Sequence, residues 1–443
     1  MTGLMARQET GGPDPKHQRG AVSPRRAGMV IALGLAATAA AALWVAVTAG
    51  RTRPVTGRLR NVRLLTFDRP FPEGGRFASD PYIGSHVCAE CHPGEAALHS
   101  RSGHALTLRP AARRALSRRL DGTSVADPEL PDVRWSYRYA DGRLSIARRT
   151  PNQVEECIAE YAFGSGHHAT TFVSVIDPVV PAILEHRLSY YTRDGVLALT
   201  PGHETKPPPP GLTPHGGVPP PRDARACFGC HATQVSARGS PGIDEAMMIP
   251  NISCERCHGP GRAHVAAARR GAPESQLALP FGPDRWTAPD LLKFCGTCHR
   301  HPSGPRPEQI RPDDPNLARF QPIGLMQSAC YRQSQGALSC VTCHDPHARA
   351  SSRRAEYDAV CLECHGGPAG SGGSARSLAR PGAVCPVSPR QRCVECHMPQ
   401  VGVDAGRHIL LSDHWIRIRR EAQSTAESGT AVSNTHARVP HDP

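Results

Sequence analysis

Cys88-Ala89-Glu90-Cys91-His92 is the pentapeptide on which the organisation of this chain turns, because its pattern returns six more times. Cys-x-x-Cys-His recurs at Cys227–His231, Cys254–His258, Cys295–His299, Cys340–His344, Cys361–His365 and Cys393–His397. The copies pair Cys88 with Cys91, Cys227 with Cys230, Cys254 with Cys257 and Cys295 with Cys298. They also pair Cys340 with Cys343, Cys361 with Cys364 and Cys393 with Cys396, and so consume 14 of the 17 cysteines. Residues i, i+3 and i+4 share one face of a helical turn, so two thiols and an imidazole converge on one edge of a ligand. That is the attachment geometry of a c-type haem. The thiols add to the two vinyl groups, and His92, His231, His258, His299, His344, His365 or His397 binds the iron. The cofactor implied is haem c, seven times over, covalently attached.

Other uses of Cys-x-x-Cys fit poorly. Zinc sites combine two such pairs, and seven is odd. A redox dithiol needs no histidine beside it. With 23 histidines in 443 residues, chance placement after all seven pairs has odds of roughly one in 10⁹.

Aromatic residues make up only 5% of the chain, while Gly and Pro number 42 and 44. Such a composition supplies a thin side-chain core. Seven apolar porphyrins would fill the deficit, so the haem-free chain is not expected to fold stably. The formal charge of +13 would suggest a nucleic-acid partner. Haem propionates offset it: the charge falls to about +6 with ferric haems and about −1 when all are reduced. No aromatic-interleaved basic stripe accompanies the charge, so no nucleic acid is expected.

Residues 29–49 form an uncharged apolar run long enough to span a bilayer. The run is read as a single N-terminal transmembrane anchor, with a signal peptide as the alternative. Residues 1–28 then form a disordered cytoplasmic tail. Haem attachment outside the cytoplasmic membrane places the body on the periplasmic, extracytoplasmic side. The haem domain is expected over 81–420, and a disordered tail over 421–443.

The fold class expected is mainly α with irregular loops, a multihaem cytochrome c fold packed around haems. Glu95 to Leu120 reads largely as helix, with a break at Pro110. A small β-hairpin subdomain is inserted after the first haem site, at about 130–202. Trp135, Tyr137 and Tyr139 alternate, Asp141-Gly142 turns, and Leu144 and Ile146 alternate again. Leu188 to Leu199 repeats the signal around Asp194-Gly195. From Cys227 onward six motifs fall within 171 residues, which leaves room for short helices and loops.

Thirteen histidines outside the motifs lie between His86 and His414, enough for a second axial imidazole at every iron. Paired histidines lower the potential relative to a Met/His pair. Five are favoured: His104 after the first motif, His264 in Cys-His-Gly-Pro-Gly-Arg-Ala-His, His347 in Cys-His-Asp-Pro-His, and His408 and His414 after the last. His264 and His347 lie too near their own motifs to cross those haems easily, but can reach the next one. Cys157, Cys330 and Cys385 stand outside the motifs, where one disulfide or packed thiols are both open.

Several stretches together resemble a known family. They include Cys254–His264, Cys330–His347 (Cys-Tyr-Arg-Gln-Ser-Gln-Gly-Ala-Leu-Ser-Cys-Val-Thr-Cys-His-Asp-Pro-His) and Cys393 through Arg417. Gly164–His168 and Tyr190–Gly202 belong to the same match. The family is the multihaem c-type cytochromes similar to the tetrahaem cytochrome partner of hydroxylamine oxidoreductase, related to that enzyme and to the pentahaem nitrite reductase. The resemblance implies a mostly helical fold with stacked haem pairs. Two catalytic signatures of the relatives are missing. No motif here replaces histidine by lysine, as the nitrite reductases do, and no tyrosine follows His397.

The expected function is therefore electron transfer by a membrane-anchored heptahaem cytochrome with bis-histidine irons, serving redox partner proteins in the membrane or periplasm. The competing expectation is an oxidoreductase acting on a small nitrogen or sulfur compound at one open iron. No catalytic residue can be named.

Overall fold

Alternation of Trp135, Tyr137 and Tyr139 with Arg134, Ser136 and Arg138 puts three aromatic rings on one face of a strand. That face is the centre of a β-layer much larger than the hairpin pattern implies. The computed structural model describes residues 82–203, 212–237, 240–277, 279, 286–300, 315–334, 337–366 and 384–418. All lie in the contact unit Val62–Pro443. The β-layer comprises β1 (Leu108–Pro110), β2 (Ser124–Ala126), β3 (Arg134–Ala140), β4 (Arg143–Thr150), β5 (Gln153–Ala159), β6 (Tyr161–Phe163), β7 (Ala169–Asp177), β8 (Ala182–Tyr191), β9 (Val196–Leu199), β10 (Leu212–Thr213) and β11 (Gly216–Gly217).

Strands β2-β3-β4-β5 form an antiparallel meander. The β3–β4 turn is a two-residue loop with φ of 52° at Asp141 and 70° at Gly142, the type that matches strand twist. The second sheet runs β1-β6-β7-β8-β11-β10, with β9 also paired to β8. Between the sheets lies a core of Trp135, Tyr137, Leu144, Ile146, Phe172, Leu188 and Tyr190. Asp127 accepts from Trp135 Nε1 at 2.9 Å and from Arg187 Nε at 2.5 Å. These bonds satisfy the polar groups that this core encloses.

The chain is thus mixed, with about 35% helix and 24% strand among the described residues, and the mainly α expectation is corrected. The physical reason is pairing at long range. Leu108–Pro110, expected inside a helix, pairs with Tyr161–Phe163 some fifty residues away. The predicted helix over Glu95–Leu120 therefore breaks into Pro93–His99, 3₁₀ turns at His104–Leu106 and Ala111–Arg113, and Ala115–Arg119.

Helices carry most of the remainder and are short. The longest, Ala288–His299 and Arg354–His365, have 12 residues, or about 18 Å against a hydrocarbon core of about 30 Å. No helix among the described residues is long and apolar enough to cross a membrane. The single anchor, and the membrane placement built on it, are corrected accordingly. The run at 29–49 and the tails at 1–28 and 421–443 lie outside the described residues.

His186 on β8 is fully enclosed, its Nε2 2.8 Å from Ser174 Oγ. Burial, with His215 and His203 nearby, pushes its pKa down to about 3. Its unfolded value is about 6.5, so between these limits the unfolded chain binds the extra proton and stability falls as pH drops. Glu160, pushed up to about 7 by burial, acts in the opposite sense. We expect His186→Gln to flatten the loss of stability below about pH 6.5, measured by urea midpoints at pH 7.5 and 5.5 for both proteins. Parallel curves for the two would refute this assignment.

Candidate functional site: the haem attachment sites

Each motif folds as one helical turn, and in several a residue of the motif itself anchors it. Phe228, between Cys227 and Cys230, is wholly buried. Its ring stands edge-on to Tyr161 at 5.3 Å and Phe163 at 4.9 Å. This contact seats the helix Pro221–His231 on the outer face of the second sheet. Helix Ala288–His299 starts at a capping box between Thr287 and Asp290 with Pro289 just inside. Ser339 and Thr342 make the equivalent box before Cys340–Cys343.

The fourteen attachment thiols are not equally covered. Cys91, Cys227, Cys343 and Cys396 are exposed. Cys88, Cys230, Cys254, Cys257, Cys295, Cys298, Cys340, Cys361, Cys364 and Cys393 are half-buried. Cys396 shows why the two thiols of one motif differ. On the short helix Cys393–His397 the buried position is Val394. Cys396 stands two residues further round the turn, so it points away from that contact. Its backbone N–H donates to Arg392 O at 3.3 Å, and the exposed Arg392 guanidinium lies near its thiol. Cys396 is therefore exposed while Cys393, in the same motif, is half-buried.

Two carboxylates clamp one motif to another. Glu255, buried inside the third motif, accepts from the backbone N–H of Ile83, Gly84 and Gly261, all at 2.9 Å. The first two lead into the helix Ser85–Ala89, which carries Cys88. Asp358, on the helix of the sixth motif, accepts from Arg392 N at 2.8 Å and Val394 N at 3.0 Å, the start of the seventh. Glu255→Ala would strand three amides, each costing about 1–3 kcal/mol if left unpaired. We expect a loss of about 3–5 kcal/mol in holoprotein stability by denaturant titration, with Glu255→Gln losing less. A loss within error would show that water replaces the clamp.

The thiols of different motifs also meet. Cys88 interacts with Cys254, Cys230 with Cys298, and Cys295 with Cys340. No disulfide joins any of the 17 cysteines, so the open choice for Cys157, Cys330 and Cys385, which lie outside the motifs, falls to unpaired thiols. Among the described residues no group of three or more His, Cys, Asp or Glu could hold a bare metal ion.

Histidine geometry gives the sharpest test of whether haem fits. A metal–imidazole bond is about 2.0 Å, and the ring centroid lies about 1.1 Å behind its nitrogen. Two imidazoles on opposite faces of one iron therefore hold centroids about 6.3 Å apart. Four motif histidines face another histidine at that separation. His92 faces His264 at 6.4 Å, His299 faces His104 at 6.2 Å, His258 faces His347 at 6.0 Å, and His344 faces His414 at 6.2 Å. No hydrogen bond explains such spacing, which exceeds direct ring contact. The residues fit the group.

The ring orientations agree. A carbonyl oxygen can only accept, so a nitrogen bonded to it carries the proton and the other nitrogen is left as a metal ligand. Nδ1 donates to a backbone carbonyl in His104 (Pro346, 3.4 Å), His414 (Ser412, 2.9 Å) and His264 (Leu277, 2.5 Å). In His347 it faces Asp345 at 3.3 Å. Among motif histidines, His231 Nδ1 donates to Thr107 O at 3.0 Å and His397 Nδ1 to Arg417 O at 3.1 Å. Burial pushes His414 down to about 4, which keeps it neutral as a metal ligand must be.

His408 is placed differently from the other four. It is bonded to Asp194 through Nδ1 at 2.7 Å and its ring lies 4.7 Å from that of Tyr191, a contact with the β8–β9 hairpin. His186, His203 and His215 are likewise enclosed in the β-layer, held by Ser174, Glu185 and Glu155. Sequence reasoning did not find the clamps Glu255 and Asp358. Their only local signal is an acid inside or just before a motif.

Comparison with known proteins agrees with this chemistry. The family "Cytochrome c554 and c-prime" matches residues 217–259, across the second and third motifs. The family "Doubled CXXCH motif" matches residues 334–370, across the fifth and sixth. The outer cell wall cytochrome OcwA is a similar solved structure at 14% identity, with a TM-score of 0.43, covering 78% of this chain and 81% of that one. No curated protein matches the chain. The motifs and the matched families together define a multihaem c-type cytochrome.

Proposed function

We propose that this chain is a heptahaem electron-transfer protein in which at least four irons carry two histidines. The observation that carries the reading is the set of four opposed imidazole pairs at 6.0–6.4 Å. His264, His104, His347 and His414 act as the second ligands of the first, fourth, third and fifth sites. Each bound haem supplies a one-electron iron couple. The protein's own part is to fix ring orientation through the Nδ1 bonds and to saturate coordination, which disfavours substrate binding at those irons.

The thiol contacts support an order for the sites. The first adjoins the third, the second adjoins the fourth, and the fourth adjoins the fifth. Cys257 of the third also lies near Cys295 and Cys298 of the fourth. The path runs first–third–fourth–fifth, with the second branching at the fourth. Electrons would enter and leave by redox partner proteins. Intact-mass measurement of protein made with a haem-attachment system should show seven haem additions, and EPR of the oxidised form should show low-spin iron at four or more sites. Fewer than seven additions in mature protein would refute the count. Fewer than four low-spin irons would refute the ligand reading.

A further inference from the structure

Arg114 is a half-buried arginine with no carboxylate partner among the described residues. Its Nη2 donates to Leu106 O at 3.2 Å and to Gly164 O, and its Nη1 reaches Ser165 O at 3.5 Å. Its Nε is enclosed and bonded to nothing. Beside it, across the turn at Gly164 and Gly166, lies His167, whose Nε2 is also enclosed and without a partner. A methyl group placed on Gly103 would come within 3.8 Å of the His167 ring. The charged neighbours of these groups are all cationic or histidine. Arg349 and Arg114 act on His167, Arg349 acts on His168, and Arg109 acts on Arg114. Burial and Arg109 push Arg114 down to about 10. An enclosed cation without a counter-charge costs several kcal/mol. A cluster of this kind therefore implies an anion, and the orphaned Arg114 Nε–H implies that it accepts a hydrogen bond, with His167 Nε2 free to donate a second.

The neighbours say where that anion comes from. Gly103, packed against His167, directly precedes His104, which faces His299 across the fourth site. Leu106, held by Arg114, follows two residues later. Arg349 follows His347, which faces His258 across the third. We infer that Arg114, His167 and Arg349 form a cradle for a propionate carboxylate of the haem held between His104 and His299. The inference rests on the bis-histidine reading of that site. Guanidinium and imidazole N–H groups are suited to a planar carboxylate, and the pairing neutralises a negative charge that would otherwise favour ferric iron.

The test uses holoprotein and redox titration followed by EPR. His104→Ala first identifies the fourth site as the low-spin signal that it abolishes. Arg349→Gln removes an exposed cation at little risk to the fold, and His167→Gln removes one ring. Arg114→Lys keeps the charge but loses the fork. In Arg349→Gln and His167→Gln that signal should shift toward the oxidised form by about tenfold in its equilibrium constant, 59 mV lower for one electron. Arg114→Lys should shift less. Titration with sulfate at constant ionic strength should leave the parent unchanged, because the cradle is already filled. A sulfate-dependent shift in the parent that Arg349→Gln abolishes would make the site one for a free oxyanion and overturn the proposal. Unmoved potentials in both neutral variants would overturn it too. If His104→Ala abolishes no signal, the ligand reading fails instead.

Discussion

Replacing His264, His347 or His414 by alanine converts one low-spin iron into a high-spin, five-coordinate one, and the reduced variant gains one equivalent of carbon monoxide binding over the parent. The expectation follows from the opposed pairs His92–His264, His258–His347 and His344–His414, at 6.4, 6.0 and 6.2 Å. Each of these second rings is tethered by Nδ1, so Nε2 is turned away from the tether. His414→Ala should be the most severe. Its ring is half-buried, and the backbone at His414 and Trp415 packs against Gly324, where an added methyl would lie 2.7 Å from Trp415 N. His408→Ala serves as the control. Its ring bonds to Asp194 and packs on Tyr191, so the substitution should cost stability and leave every spin state as it was. EPR of the oxidised variants and carbon monoxide difference spectra decide the matter. A new high-spin signal in His408→Ala, or none in the other three, would reverse the assignment.

Haem removal should divide the chain by the origin of its core. Expressed without haem attachment, the protein should keep its β-structure and lose most of its helix signal, which narrows the expectation of an unstable haem-free chain to the region beyond Cys254. Limited proteolysis should leave a protected fragment from about residue 105 to about 252, while 254–418 is degraded. The buried apolar residues explain the boundary. Trp135, Tyr137, Leu144, Phe172, Leu188, Tyr190 and their neighbours fill one side of the second sheet, and Tyr161, Phe163, Ile183, Phe228, Ile243 and Met248 the other. Beyond Cys254 the fully buried apolar side chains among the described residues are Ala267, Leu292, Leu317, Ala318, Ile323 and Val394. At about 1.5–3 kcal/mol for each large side chain, that set cannot offset the backbone entropy of ordering this region. The exposed Cys396, two residues from Val394, belongs to the same thin region. The porphyrins must supply the apolar contact. A haem-free chain with native helix content would show that they do not.

The haem attachment sites could be located from sequence because their chemistry is local. Two thiols and an imidazole within one turn need no distant contact, and the same is true of the Asp141-Gly142 turn, whose positive φ values suit those two residues. Which thiol of a motif is covered is not local. Cys396 and Cys393 share one pentapeptide, and the packing of Val394 together with the approach of Asp358 to Cys393 distinguishes them. The β-layer was underestimated for a related reason. β1 carries no strand signal of its own and exists because Leu108–Pro110 finds Tyr161–Phe163. The segment 115–217 alternates in places, but only pairing β6, β7 and β8 into one sheet shows that it is a layer rather than a hairpin.

Sequence by itself determined the cofactor chemistry, through seven spaced pentapeptides. It also supplied a surplus of histidines without saying which iron each would face. That choice belongs to the tertiary structure. His264 follows the third motif yet faces the first, because Glu255 binds the chain ahead of Cys88 and so brings the first site against the third. His104 follows the first motif yet faces the fourth, where the carbonyl of Pro346 orients it. An axial ligand must sit on the far side of a porphyrin from its own motif. A few intervening residues cannot span that width, so the second ligand has to come from wherever folding brings a distant segment.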